Sequence, residues 1–333
     1  MIRERQTYID VLRMTCMICV ISFHIFGRLD DLFRDSFLDK SAILYGSAIL
    51  VQISVAMFMF LAGYCYRKPQ RKDVLKFFVK KIKRLLIPYL IFSCLIMFST
   101  GFFDVGELLG GGFYHLWFLT ALFWCFMFSM CIDYSHPNSF LLLPISLILI
   151  AIDLPNLFGL QDFVKWYFYF VVGALMHSYN SLETFISKNI TCIICLIIAI
   201  GIFVFTPALK YREGSIIHAI ATCLLICILF CLVKKRWNNK QGLKVNAAFI
   251  YVVGNSSMGI YIFHFWVLIF MLSSTSIRLF HLNKLVEHVP ILLAGSLIIV
   301  NFLISFVLTV LLKKTRCGCW LLGENYINSL LNK

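Results

Sequence analysis

Long apolar runs separated by short polar segments dominate the chain. A transmembrane helix needs about 20 predominantly apolar residues, and ten runs approach or reach that length. The two shortest are the fifth and sixth, on either side of the turn-rich segment 153–156. The pattern predicts an all-α integral membrane protein with about ten transmembrane helices. They lie near 9–27, 42–66, 85–103, 113–132, 139–153, 164–179, 189–207, 214–233, 247–272 and 289–312.

Composition supports the same class of protein. Hydrophobic residues make up 61% of the 333 residues and charged residues 14%, against about 45–50% and 25% in a soluble domain. One globular core of this length cannot bury so much apolar surface, which argues against a soluble enzyme, a disordered chain or a nucleic-acid-binding domain. We expect residues 1–333 to form a single polytopic domain with no appended soluble domain.

Lysine and arginine positions predict the orientation. Cytoplasmic loops of membrane proteins retain these residues, and a cytoplasmic N-terminus places 21 of them inside and 8 outside. An even number of spans then returns the C-terminus to the cytoplasm. Topology thereby explains much of the net charge of +14, although the segment from Arg67 to Arg84, with nine cations, is denser than topology requires. Topology and anionic lipid headgroups account for Lys68, Arg71 and Lys72 of that loop.

The first predicted span contains three ionisable residues, Asp10, Arg13 and His24. An ionisable group at the centre of a span costs about 2.5–3.5 kcal/mol on insertion scales, so it marks function by default. His24 follows Arg13 by eleven positions, which places them within about 20° of each other around the helix and about 16 Å apart along it. Asp10 precedes Arg13 by one turn on the same face. An interfacial ion pair with an interfacial histidine explains the pattern equally well.

Two further histidines are predicted at a similar outward depth. His115 opens the fourth span and His264 lies in the outer half of the ninth. One histidine at a span end is usually an interfacial anchor, whereas three at one level on separate helices are suited to lining one cavity. We expect no metal site, because neither these histidines nor the cysteine pairs have the spacing of a zinc site. Most of the thirteen cysteines lie in apolar runs, where Cys behaves as a small hydrophobe.

Five ordered segments resemble the motifs of acyltransferase family 3, whose members are membrane acyltransferases that modify glycans and other hydroxylated acceptors. Arg13 and His24, with ten residues between them, resemble the family's Arg-x10-His signature. The other four are Met57-Phe-Met-Phe-Leu-Ala-Gly63-Tyr64, Lys83-Arg84-Leu-Leu-Ile-Pro88-Tyr89, His115-Leu-Trp117-Phe-Leu119 and Ser257-Met-Gly-Ile-Tyr261-Ile-Phe-His264. The resemblance covers residues 8 to 264.

The resemblance implies cytoplasmic acyl-coenzyme A, most commonly acetyl-coenzyme A, as the donor. It also implies His24 as general base, a role suited to a side chain that titrates near neutrality. We expect Arg13, paired with Asp10, to orient the donor. Arg84, at the membrane edge of the basic loop, is placed to bind the donor's phosphates, because arginine binds phosphate bidentately.

Four other residues complete the predicted site. We expect His115 and Trp117 to shape the acceptor side and Tyr261 and His264 to contribute hydrogen bonds. The resulting hypothesis is an O-acetyltransferase in the plasma (inner) membrane, of bacterial type, acting on a cell-surface polysaccharide or its lipid-linked precursor. A non-enzymatic glycan exporter or flippase is the alternative, since polar residues within spans also describe a transport path. The repeat symmetry of many transporters is not visible in the sequence.

Overall fold

The computed structural model describes residues 7–32, 40–101, 103–110, 114–135, 139–155, 157–205, 215–238, 247–273 and 290–324. Every regular element in these ranges is helical, which confirms the all-α prediction. Both chain termini, whose cytoplasmic location is predicted, lie outside the described residues, as do the ends of several predicted spans.

The described helices follow one another with short connections. In chain order they are α1 (Thr7–Leu32), α2 (Lys40–Tyr64), α3 (Val74–Lys81), α4 (Ile87–Thr100), α5 (Val105–Leu109), α6 (Trp117–Ser135), α7 (Leu142–Ile150), α8 (Leu160–Ser178), α9 (Asn180–Ile186), α10 (Asn189–Phe205), α11 (Ile216–Asn238), α12 (Ala247–Met271), α13 (Pro290–Lys313) and α14 (Arg316–Leu321). Single 3-10 turns precede α3, α6 and α7, and a π-helical turn, Ile82–Leu86, joins α3 to α4.

Seven stretches of the described chain are long and apolar enough to cross a membrane. They are Thr7–Leu29, Gly46–Tyr64, Arg71–Thr100, Val105–Ile132, Ile216–Trp237, Ile250–Met271 and Ile291–Lys313. Helices α9 and α10 make an eighth if they form one span, bent by 76°. The remaining two predicted spans correspond to α7, with nine residues, and to the 19-residue α8. The difference between eight crossings and the predicted ten therefore depends on α7 and α8.

Contacts divide the chain into two compact units. The first unit comprises Met1–Val55 and Arg236–Thr315, and the second comprises Ala56–Lys235 and Arg316–Lys333. In the first unit, α1, α12 and α13 pack against one another. Glycines allow these helices to approach closely: a Cβ atom at Gly254 would overlap Asp10, and one at Gly259 would overlap Thr309. Small residues at helix contacts are typical of membrane proteins.

Helices α1 and α12 run parallel. Asp10 lies against Gly254 near the start of both helices, and His24 lies beside His264 farther along both. Parallel spans are separated by an odd number of crossings. Among the described residues, four of the seven apolar stretches lie between α1 and α12, and the bent pair α9–α10 would make a fifth.

The second unit is built around α8. Its eleven buried residues include Tyr167 and Phe170, so α8 is a core helix rather than a lipid-facing one. It crosses α2 where Gly63 lies against the carbonyl oxygen of Phe170 and Gly173 lies against that of Phe60. A side chain at either glycine would separate the two backbones. This contact gives a structural reason for the glycine in the Gly63-Tyr64 motif.

The two ends of α8 contact segments predicted to lie on opposite sides of the membrane. Just before the helix, the Phe158 N–H donates to the Leu109 carbonyl over 2.6 Å, which joins two loops that are both predicted to be outside. At its other end, His177 Nδ1 lies 3.1 Å from the guanidinium of Arg67, in the predicted cytoplasmic loop. The packing of the second unit thus agrees with the predicted alternation of its loops.

A largely buried ion pair lies at the predicted cytoplasmic end of the second unit. Lys234 Nζ lies 2.6 Å and 2.7 Å from the two carboxylate oxygens of Glu183 and donates to the Tyr64 hydroxyl over 3.2 Å. About four-fifths of the surface of each charged side chain, Lys234 and Glu183, is buried. These contacts join α2, α9 and α11.

Candidate active site

The polar face of α1 begins with a buried carboxylate. The Asp10 side chain is only 2% exposed, and its Oδ1 lies 3.6 Å from Nη1 of Arg13, whose side chain is 29% exposed. A buried carboxylate is costly unless a positive charge or hydrogen bonds compensate it. Arg13, one turn along the same helix, supplies such a charge and extends towards the surface of the unit.

His24 lies on the same side of α1 as Asp10, since both contact α12. Its ring centroid is 5.3 Å from that of His264, with the two ring planes inclined at 41°. Phe23 and Phe265 make edge-on contacts with the His24 ring at 5.3 Å and 5.8 Å. His24 is half-buried, whereas His264 is completely buried. The first unit therefore places a half-buried imidazole beside a completely buried one.

Hydrogen bonds hold His264 in place. Its Nδ1 lies 2.6 Å from the carbonyl oxygen of Tyr261, one turn earlier in α12. The Asn301 side-chain amide, on α13, donates to the backbone carbonyl of His264 over 2.9 Å. Asn301 is itself completely buried. The predicted pair Tyr261 and His264 thus come together with His24, and Tyr261 contributes its backbone carbonyl.

A polar seam on α13 extends this network. Ser305 Oγ donates to Oδ1 of Asn301 over 3.3 Å, and Thr309 Oγ1 donates to the Ser305 carbonyl over 2.7 Å. One turn further, Lys313 Nζ donates to the Asn255 carbonyl of α12 over 2.7 Å. The sequence analysis missed this seam. Its signal is a polar residue at every fourth position of an apolar run, which places all four on one helix face.

Arg84 belongs to the second unit, where it is exposed on the π-helical turn. Pro88 explains the wider turn, because proline has no N–H to bond the carbonyl four residues earlier, that of Arg84. The Ile87 N–H instead bonds the Ile82 carbonyl, five residues back. Gly323, at a φ of +64°, packs on the backbone of Arg84, where a Cβ would overlap it. The C-terminal segment thus supports the turn that carries Arg84.

His115 and Trp117 also belong to the second unit. His115 is buried in the 3-10 turn Tyr114–Leu116, and Trp117 begins α6. Trp117 stacks on Trp166 of α8, with ring centroids 5.8 Å apart and ring planes inclined at 27°. Trp166 was not singled out by the sequence analysis. It lies in a predicted span that contains none of the family motifs. Only its stacking on Trp117 distinguishes it from an ordinary buried aromatic residue.

Comparison with protein families identifies the chain. A family model described as an acyltransferase domain, that of acyltransferase family 3, matches residues 6–310. The chain belongs to acyltransferase family 3. Searches of curated proteins and of solved structures found no match.

Membership of acyltransferase family 3 implies a membrane acyltransferase. Acyl transfer to a hydroxyl needs a base beside the attacking oxygen and groups that position the acyl donor. Within the first unit, the half-buried His24 imidazole has the chemistry of the base. Arg13 offers a cation on the same helix, with Asp10 balancing its charge. The Arg-x10-His signature lies on α1, and the motif that ends at His264 lies on α12. These two helices pack against each other and against α13.

Proposed function

We propose that this protein is a membrane O-acetyltransferase. It moves an acetyl group from cytoplasmic acetyl-coenzyme A to a hydroxyl of a cell-surface polysaccharide or its lipid-linked precursor, in the plasma (inner) membrane of a bacterium. One observation carries the proposal: the His24 ring lies beside that of the buried His264, with ring centroids 5.3 Å apart. His24 lies on α1, which also carries the Asp10–Arg13 pair. Family membership supplies the reaction class.

His24 acts as the general base in this proposal. The acceptor hydroxyl transfers its proton to a ring nitrogen of His24 as its oxygen attacks the carbonyl carbon of the thioester. The tetrahedral intermediate then collapses, the carbon–sulfur bond breaks and the new ester remains on the acceptor. The departing coenzyme A thiolate takes the proton from His24, which restores the neutral imidazole. No residue is covalently modified in this direct transfer.

Two arginines serve the donor. Arg13 orients the acyl end of the donor, and its pairing with Asp10 limits the cost of holding a cation within the span. Arg84 binds the nucleotide phosphates, since it is exposed and its guanidinium matches phosphate geometry. The two residues belong to different units, so we assign each role separately.

The acceptor side rests on aromatic and imidazole groups of the second unit. Trp117 is half-buried, and its stacking on Trp166 fixes the plane of its ring. A fixed aromatic face suits the apolar C–H face of a sugar ring. We assign Trp117 to acceptor binding and the buried His115 to shaping the wall beside it.

Transfer of a labelled acetyl group tests this function. Purified protein in lipid nanodiscs is mixed with acetyl-coenzyme A carrying a carbon-13 acetyl group and with the surface glycan fraction of source cells that lack the gene. We expect the label to appear in glycan esters, in amounts equal to the free coenzyme A thiol released. Movement of glycan across vesicle membranes without thioester consumption would instead identify an exporter.

A further inference from the structure

We infer that the C-terminal segment, residues 316–324, is a positioning element of the donor site. It holds the turn that carries Arg84 and thereby the guanidinium that binds the donor's phosphates. The segment follows residues 6–310, which match the family model. This inference rests on the donor role of Arg84 in the proposed function and adds a further part of the chain to that site. Its structural part, the hold of the segment on the turn, can be measured without any substrate.

The C-terminal segment folds into the second unit through its own apolar side chains. Helix α14 packs against α4, and Cys319 and Leu322 are completely buried. The chain then turns back, because the Gly323 N–H donates to the Trp320 carbonyl over 2.9 Å and the Glu324 N–H donates to the Cys319 carbonyl over 2.7 Å. These two bonds are those of a Schellman motif, which ends a helix at a residue of positive φ. The segment therefore has a defined backbone structure where it meets the turn.

Two independent constraints require the glycine at position 323. Its φ of +64° lies in the left-handed region, which glycine adopts without steric cost. A Cβ atom at Gly323 would also overlap the Cα atom of Arg84 and the carbonyl oxygen of Lys83. The backbone of the segment therefore lies directly against the backbone of the turn, with no side chain between them. Any side chain at position 323 must displace the segment or the turn.

Lys81 ties the start of the same turn to α6. Its Nζ lies 3.0 Å from the ring centroid of Phe126 and 5.0 Å from that of Phe77. Such cation–π contacts are favourable, most of all where water is excluded. Lys81 directly precedes the π-helical turn Ile82–Leu86. The turn is thus held just before its start by a side chain and at Arg84 by the C-terminal segment.

A fixed backbone matters at Arg84 because its side chain must bind an anion from the surface. The residue is exposed, and a long side chain loses rotamer freedom when it binds a ligand. Two parallel hydrogen bonds to one phosphate also require a defined orientation of the guanidinium. When the turn is already held, only the side chain must be ordered on binding. Donor affinity should therefore fall when the turn is loosened.

Hydrogen–deuterium exchange of backbone amides tests the structural part. Gly323→Ala is compared with the wild-type protein and with Gly101→Ala, since Gly101 has a φ of +68° and nothing within 4 Å of an added Cβ. Both variants place alanine at positive φ, so only Gly323→Ala adds the overlap with Arg84. We expect peptides covering residues 82–86 to exchange at least about threefold faster in Gly323→Ala and at the wild-type rate in Gly101→Ala. Unchanged exchange there in Gly323→Ala would overturn the inference, whether or not the protein transfers acetyl groups.

Donor affinity tests the positioning role. In calorimetry with acetyl-coenzyme A, Gly323→Ala should weaken binding by about tenfold, part of the loss of about 10- to 100-fold expected when the Arg84 guanidinium is removed. Gly101→Ala should stay within about twofold of the wild-type affinity. With the surface glycan fraction as acceptor, Gly323→Ala should raise the KM for acetyl-coenzyme A and leave kcat unchanged, because no group of the transfer step is altered. A lower kcat with an unchanged KM would contradict the positioning role.

A double variant shows whether the segment acts through Arg84. In the Arg84→Ala background, Gly323→Ala should weaken donor binding by less than about a further twofold, because the guanidinium that the turn positions is already absent. A further tenfold loss would contradict the inference, since the segment would then act by another route. Failure of the wild-type protein to bind acetyl-coenzyme A would instead refute the donor role of Arg84 in the proposed function, while the exchange result would stand.

Discussion

Asp10 lies directly against the backbone of Gly254, so closely that a Cβ atom at position 254 would overlap its carboxyl group. This contact joins the start of the α1 polar face to α12 and sets the spacing of the two helices that carry His24 and His264. A single methyl group at this point must therefore move either the carboxylate or the helix.

Gly254→Ala should accordingly reduce acetyl transfer by at least about tenfold, because an ångström of misplacement at a reacting centre costs about that or more. The matched control is Gly295→Ala, on α13 of the same unit, where nothing lies within 4 Å of the added Cβ. We expect that control to keep full activity. Equal rates for the two variants, measured by thiol release, would show that the Asp10 contact has no bearing on function.

Donor binding should depend on Arg84 far more than on the rest of the basic loop. Arg84→Ala should weaken binding of acetyl-coenzyme A by about 10- to 100-fold, the usual loss for a hydrogen bond to a charged group. Lys72→Ala, also at an exposed cation of that loop, should weaken it by less than about threefold. Isothermal titration calorimetry in detergent measures both. Equal small losses would leave the loop as a diffuse basic surface.

The Lys234–Glu183 ion pair should contribute measurable stability. Glu183→Gln leaves Lys234 largely buried beside a neutral amide, and we expect a loss of about 1–3 kcal/mol, part of the cost of breaking a fully buried pair. Asp73→Asn is the matched control, because Asp73 pairs with Lys76, which is 84% exposed. Such surface pairs contribute about 0–1 kcal/mol. Thermal unfolding in detergent compares the two, and a larger shift for Asp73→Asn would contradict this assignment.

The predicted orientation can be tested by cysteine labelling. In a background where the exposed Cys65, Cys94, Cys131 and Cys317 are replaced by serine, Glu107→Cys should react with a membrane-impermeant maleimide from outside intact cells. Lys72→Cys should react only after the membrane is opened. Labelling of both positions from the same side would refute the alternation of loops on which the cytoplasmic donor and outer acceptor depend.

The helical period predicted the arrangement of α1 because that arrangement is local. Residues 10, 13 and 24 share a face through the geometry of one helix, and the structure confirms that Asp10 and His24 both face α12. The partner of His24 was not predictable in the same way. His264 is remote in the sequence, and the sequence analysis placed it only at a similar depth; the packing of α1 on α12 determines the contact.

Two other features show where sequence patterns fall short. Asn301 stands in an apolar run, so hydropathy alone gives it no role, although the four-residue spacing of Asn301, Ser305, Thr309 and Lys313 is a usable signal. Helix α8 is less apolar than the seven long stretches because it carries Gln161, Asp162 and Lys165 near its start, yet its burial places it at the centre of the second unit. Burial against other helices, unlike contact with lipid, does not require a uniformly apolar surface.

Turnover by variants of His24 tests the central claim most directly. Thiol release from acetyl-coenzyme A, in the presence of the surface glycan fraction, is measured for the wild-type protein, His24→Ala and His24→Gln, with donor binding by calorimetry as the control for folding. General-base catalysis is typically worth about 10²–10⁴-fold. We expect both variants to bind donor normally and to lose turnover by that factor, because glutamine can orient a hydroxyl but cannot take its proton. Turnover near the wild-type rate in either variant would contradict His24 as the general base.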